Sequence, residues 1–225
     1  MEIIRVTLPV RDLESVADFY GAVLGLPVDR EPHSIKVRVG TTDLRITEDP
    51  GAVGDHHLAF LIPAGRYELA KEWLSARTPL LSVDGSDEFE MSAAWNARSL
   101  YFQGPDRSIL ELIMRRDLAG GRTGPFTCDD LLSVSEVGVA VPDVPGTVDR
   151  LGRDAGIELY WDEPIGTTFA PVGGIDGMLI LVSPERLWFP TDHQRAEQQA
   201  ILVEATGGRP GRYPIGDQAW LTVRE

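Results

Sequence analysis

One cysteine, Cys128, stands in 225 residues. That scarcity excludes an internal disulfide framework and a cysteine-based zinc site. Its neighbours Asp129 and Asp130 disfavour the thiolate that a nucleophile needs. No apolar run approaches the ~20 residues of a membrane span. The opening "MEIIRVTLPVRD" lacks the basic-then-apolar layout of a secretory leader. No basic cluster offsets a formal net charge of −14, so the long-range field repels nucleic acid and anionic lipid. These absences lead us to expect a cytoplasmic protein with neither nucleic-acid nor membrane partners. The acidity reads as solubility ahead of attraction for a cationic ligand. With 43% hydrophobic and 25% charged residues, the chain has the means for one large domain or two small ones.

What is present is a repeat of strand, helix and strands. Ile3 to Val10 alternates as a strand. Asp12 caps a helix whose stripe is Leu13, Val16, Ala17, Tyr20, Val23 and Leu24, closed by Gly25. Short strands follow at 35–39 and 43–47. The order recurs with a strand at 57–62, a helix at 64–77, and strands near 78–83, 100–103 and 109–114. It recurs again with a strand at 134–141, a helix from Asp143 to Ala155 closed by Gly156, and strands at 167–172 and 178–182. Residues 200–225 read as two or three more strands without a helix. The first strands end in matching "VRD" and "VPD", and the last strands follow "GPDRSILEL" and "GIDGMLILV". Leu100 to Gly104, "LYFQG", spells most of a common tag-cleavage site. Arg98 stands where that site has Glu, and patterned sequence flanks it on both sides, so the stretch is native.

The pieces "VTLPVRDLESVADFYGAVLGL", "HHLAFLIPAG" and "YFQGPDRSILELI" resemble the vicinal oxygen chelate superfamily of glyoxalase I, bleomycin-resistance proteins and extradiol dioxygenases. The resemblance implies an α+β fold. Repeated βαβββ modules would form cupped mixed sheets with helices on the outer face. It divides the chain into paired modules over 1–116 (1–52 and 54–116), a linker over 117–131, and a third module plus C-terminal strands over 132–225.

Strand alternation then sorts the faces. Val6, Leu8 and Val10, with Leu58, Phe60 and Ile62, Leu110, Leu112 and Met114, and Val137, Val139 and Val141, should pack under the helices. The cup face should hold Arg5, Thr7, Asp43, Arg45, Thr47, His57, Ala59, Ile109, Glu111 and Ile113. In the third unit it should hold Glu136, Gly138, Ala140, Leu179 and Leu181. Arg5, Arg45, His57 and Glu111 correspond to the superfamily's four metal-ligand positions, where metal-binding members carry His or Glu. His57 and Glu111 match and are the candidate catalytic and metal-ligating residues, an incomplete set. Arginine cannot become a ligand, and a guanidinium near a dication repels it.

Two functions stay open. One is a small-molecule-binding protein without the complete metal site or any cofactor, with Arg5, Arg45, Thr7 and Thr47 contacting the ligand. The other is a metal-dependent glyoxalase-like lyase or extradiol dioxygenase using His57 and Glu111. A metal-free acid–base enzyme using Glu111 or His57 is also open, and pairing of Glu111 with Arg5 or Arg45 is the structural counterpart. Glu136 reads as a structural or surface acid, His56 as a solvent-facing residue, and "LWFP" at 187–190 as packing. Trp95 and Tyr101 read first as core. The third unit suits an interface role, as in a homodimer.

Overall fold

The computed structural model describes residues 1–161 and 164–225. The first unit is β1 (Glu2–Val10), α1 (Leu13–Asp18), β2 (Val28–Glu31), β3 (Ser34–Val39) and β4 (Thr42–Glu48). The second is β5 (His57–Ile62), α2 (Tyr67–Ser75), β6 (Phe89–Glu90), β7 (Ala97–Gln103) and β8 (Ile109–Arg115). The third is β9 (Ser133–Ala140), α3 (Val144–Arg150), β10 (Phe169–Gly174) and β11 (Gly177–Val182). The tail supplies β12 (Ile201–Thr206), β13 (Gly211–Pro214) and β14 (Ala219–Val223).

The local signals act as read. Asp12 accepts a hydrogen bond from the Ser15 amide at 3.0 Å, and Asp143 accepts one from the Gly146 amide at 3.0 Å. Each caps a helix that would otherwise leave that donor orphaned. Both helices run on into a wider π-type turn, Phe19–Val23 and Leu151–Ala155. The chain then leaves through Gly25 at φ 74° and Gly156 at φ 66°, where a Cβ would be strained. The strand expected near 78–83 is absent, with only isolated bridges from Leu80 to Phe102 and from Val83 to Ser86. The "LYFQG" stretch lies mostly in β7, an interior strand paired with β8.

Two seven-stranded sheets result, ordered β13-β14-β12-β1-β4-β3-β2 and β10-β11-β9-β5-β8-β7-β6. In each unit the first and last strands are parallel neighbours: β1 with β4, β5 with β8, β9 with β11, β12 with β14. The tail is therefore a fourth unit stripped of its helix. The sheets correct the expected pairing of the first two units. The first unit joins the tail through antiparallel β1 and β12, and the second joins the third through antiparallel β5 and β9. Each leading strand has a free edge that must be paired or covered. The alternating Ile201, Val203 and Ala205, all buried, pair on β1 and close that edge.

The apolar faces and the helices share one core, drawn from Leu8, Ile46, Phe60, Leu112, Val139 and Leu181 with Val16, Leu74 and Val148. The opposite faces differ. On the first sheet that face carries Arg5, Arg38 and Arg45, all exposed. On the second sheet a further apolar layer covers it, including Ala59, Ile109, Ile113, Ile180, Trp95, Tyr101 and Trp188. Among the described residues, only the second sheet thus has a roofed cup. No helix among the described residues is long and apolar enough to cross a membrane.

Candidate active site

Ala59 lies at the centre of the roofed cup. On one side it faces Glu111 of β8, and on the other Glu136 of β9. His57 lies two residues earlier on the same face of β5. The small Ala59 side chain leaves both carboxylates room to converge above it. Ligand atoms of His57, Glu111 and Glu136 all lie within 4.8 Å of one another. All three residues are buried. They line a cavity of about 270 Å³ walled by Trp95, Tyr101, Phe169, Trp188 and Phe189, with Met91, Ile180 and Arg186 completing it.

The imidazole is fixed. His57 Nδ1–H donates to the Ile109 carbonyl at 3.2 Å, which leaves the Nε2 lone pair pointing into the site. Trp188 stacks on the ring at 5.2 Å between centroids, a contact worth ~1 kcal/mol beyond its area. Burial holds the His57 pKa down to about 4, so the ring is neutral. Its Nε2 is 3.7 Å from Glu111 Oε2, too far for a hydrogen bond.

The carboxylates are asymmetric. Arg115, fully buried, donates from Nη2 to Glu136 Oε1 at 2.5 Å. Its guanidinium also lies 5.3 Å from the Trp95 ring centre and 5.6 Å from that of Tyr160. Glu111 Oε1 is buried with no hydrogen-bond partner. Two unit charges at about 5 Å repel by ~3 kcal/mol at an effective dielectric near 20. Burial first, then Glu136, push the Glu111 pKa up to about 8. Burial also raises Glu136, opposed by Arg115. Without a further cation, Glu111 holds the proton at neutral pH and Glu136 holds the charge. Burial above all, with the negative charge of Glu136 behind it, keeps Tyr101, directly across from Glu111 on β7, in its phenol form.

This donor set fits a divalent cation. It offers one neutral imidazole whose other nitrogen is anchored. It adds two carboxylates whose mutual repulsion a cation would relieve, and one of their buried oxygens has no partner. Three protein donors on one open face leave positions for substrate.

The structure relocates several expected site residues. His57 and Glu111 meet as anticipated. Arg5 and Arg45 do not join them; they line a separate hollow of about 250 Å³ on the other sheet. There Arg5 pairs with Glu204 at 3.0 Å and Asp43 at 3.6 Å, and Arg45 pairs with Glu31 at 3.1 Å. Neither reaches Glu111, because their strands belong to the sheet of the first unit and the tail. Thr7 and Thr47 share that sheet, and the Thr47 hydroxyl donates to the Leu8 carbonyl at 3.5 Å. Glu136 is a buried member of the cluster, not a surface acid. His56 is buried as well, and Nε2–H donates to the Pro9 carbonyl at 2.8 Å. Trp188 and Phe189 of "LWFP" line the cavity, as do Trp95 and Tyr101. Leu179 and Leu181 belong to the main core, and Ile180 faces the cup.

Gly138 shows how tightly the roof is seated. A Cβ there would lie 2.6 Å from Trp188 Cη2 and 2.9 Å from His57 Cβ. Gly138→Ala should expel Trp188 from its stack, seen as a red-shifted tryptophan emission. An unchanged emission spectrum would contradict this packing.

Residues 2–112 match the Glyoxalase/Bleomycin resistance protein/Dioxygenase superfamily. That stretch, just under half of the chain, belongs to the vicinal oxygen chelate superfamily. Among solved structures, a Bacillus subtilis protein assigned as a dioxygenase superposes with a TM-score of 0.63 at 17% identity, covering 99% of this chain and 85% of that one. Glyoxalase I from Zea mays gives 0.55 at 16% identity, covering 90% and 74%. At these identities the likeness concerns the fold. No curated protein matches the chain significantly. The superfamily assignment and the two cupped sheets agree with the resemblance seen in the sequence.

Proposed function

We propose that the cup of the second and third units is the active site of a metal-dependent enzyme of the glyoxalase or dioxygenase kind, acting on a small planar molecule. The carrying observation is the convergence of His57, Glu111 and Glu136 at the floor of an aromatic-walled cavity. The oxygen-rich donor set suits a hard or borderline ion such as Mn²⁺ or Fe²⁺. Bound there, the metal would polarise adjacent oxygens of the substrate.

The chain's own residues have separable tasks in this reading. His57 presents Nε2 because Ile109 holds Nδ1–H. Arg115 keeps Glu136 charged and aimed. Glu111 gives up its proton when a cation arrives. Trp188 and Phe189 exclude water and stack on the substrate. The cavity, about 270 Å³, lies just below the ~300–1,000 Å³ of drug-sized sites. That favours a single-ring or similarly small substrate. The single cysteine fits the reducing cytoplasm.

The test is turnover after loading with iron(II), manganese, nickel or zinc, against catechol ring cleavage and hemithioacetal isomerisation. Activity in one assay should be lost in Glu136→Ala and kept in Arg45→Ala. Activity that survives Glu136→Ala but is lost in Arg45→Ala would move the site to the other sheet and overturn the reading.

A further inference from the structure

Arg186 is a cation facing the cavity. It sits on the segment between β11 and β12, and it lines the cavity beside Trp188 and Phe189. Its guanidinium lies 4.9 Å from the centre of the Phe169 ring. Among the described residues its one side-chain hydrogen bond runs from Nη1 to the Leu187 carbonyl at 3.3 Å. Among the described residues no carboxylate pairs with it. Its neighbours differ: Arg195 pairs with Glu185 at 3.6 Å, and Arg107 pairs with Asp55 at 3.0 Å. A guanidinium carries five N–H donors in a planar fork, so among the described residues most of this fork is unmet.

The position is built, not incidental. The Arg186 carbonyl accepts from the Ala196 amide at 2.8 Å, and the Trp188 amide donates to the Gln194 carbonyl at 2.9 Å. The buried Gln194 side chain in turn donates to Asp55 Oδ1 at 3.0 Å and to the Arg107 carbonyl at 2.5 Å. The arm that carries Arg186 is thus fastened to the turn before β8. The fork is half-buried against an aromatic face, where a charge-assisted bond is stronger than in open water.

We propose that Arg186 receives a carboxylate of the substrate, so that the site selects small planar carboxylic acids. The inference rests on reading this cavity as the substrate site. A planar fork on a supporting ring matches a carboxylate in two parallel hydrogen bonds. The aromatic walls match a flat ring, and a cationic substrate would meet repulsion at this wall.

Benzoate and its neutral isostere benzamide test it, with binding followed by tryptophan fluorescence in wild type, Arg186→Gln and Arg186→Lys. The protein is incubated with metal throughout, and metal content and thermal melting are checked for each variant. Arg186→Gln should weaken benzoate about tenfold or more, the size of a lost charge-assisted contact. It should leave benzamide and metal content unchanged, and Arg186→Lys should fall between. Equal effects on both probes, no effect on either, or no benzoate binding in wild type would overturn the proposal. Arg186-dependent benzoate binding by a protein that takes up no metal would instead defeat the metal reading and leave this one standing. Normal metal uptake without benzoate discrimination would do the reverse.

Discussion

Arg115→Met should lower unfolding stability in urea by about 3–5 kcal/mol, the usual cost of removing one partner of a buried ion pair. Arg115 is fully buried and its Nη2 contacts Glu136. Methionine fills much of the same space, so the cavity contribution is small. What remains is Glu136 without its counter-charge, close to Glu111. The double variant Arg115→Met with Glu136→Gln should recover most of the loss, because it removes the stranded charge as well. A double variant as unstable as the single one would show that Arg115 acts through packing on Trp95 and Tyr160. The wild-type arrangement is itself imperfect, since Arg115 Nε and Nη1 have no hydrogen-bond partner. Such unmet groups are expected where selection favours a site over stability.

Glu111→Gln should have opposite effects with and without metal. In the metal-free protein the folded pKa of Glu111 is raised to about 8, against ~4.3 in an unfolded chain. A carboxyl with a raised pKa favours the folded state below its unfolded value. That advantage is lost as pH climbs from there through the folded value. Wild type should therefore weaken between about pH 4.5 and 8, by up to about 5 kcal/mol at 1.36 kcal/mol per unit. Glutamine does not titrate. The variant should match wild type near pH 4.5 and melt higher by pH 8. With saturating metal the order should reverse, because only wild type gains the ligand's contribution to stability. Melting curves at several pH values, with chelator and with metal, check both halves. A variant less stable than wild type at pH 8 in chelator would contradict the buried-carboxyl account.

The fold was legible because its signals are local. Asp12 and Asp143 announce helix starts, Gly25 and Gly156 announce ends, and alternation marks β1, β5, β8 and β9. The pairing of units was not legible. Which edges meet is decided by long-range contacts, such as β1 against β12, that leave no local mark. The error moved Arg5 and Arg45 into the wrong cup and left Glu136 unclaimed. Glu136 did carry a signal, since it holds in the third unit a position matching the candidate ligand of the second.

One residue of turn length hid the closing strand. Three steps separate Asp106 from Ile109, which flanks His57, but only two separate Asp176 from Met178, which flanks Glu136. A one-residue slip exchanges the two faces of a strand, so Ile180 faces the cup and Leu181 the core. A comparable irregularity in β1, between Ile3 and Arg5, buries Ile3 where strict alternation favours Ile4. The roof was harder still. Arg186, Trp188 and Phe189 lie on an irregular segment without periodicity, and long-range contacts place it, such as Gln194 with Asp55 and the Arg107 carbonyl and Trp188 with His57.

The most direct test of the central claim is elemental mass spectrometry of purified protein after incubation with manganese, iron(II), nickel and zinc. Wild type, His57→Ala, Glu111→Ala, Glu136→Ala and Arg45→Ala would be compared. The account predicts close to one metal per chain in wild type and Arg45→Ala, and loss in each of the other three. Metal bound equally well by Glu136→Ala, or none bound by wild type under any loading, would contradict it.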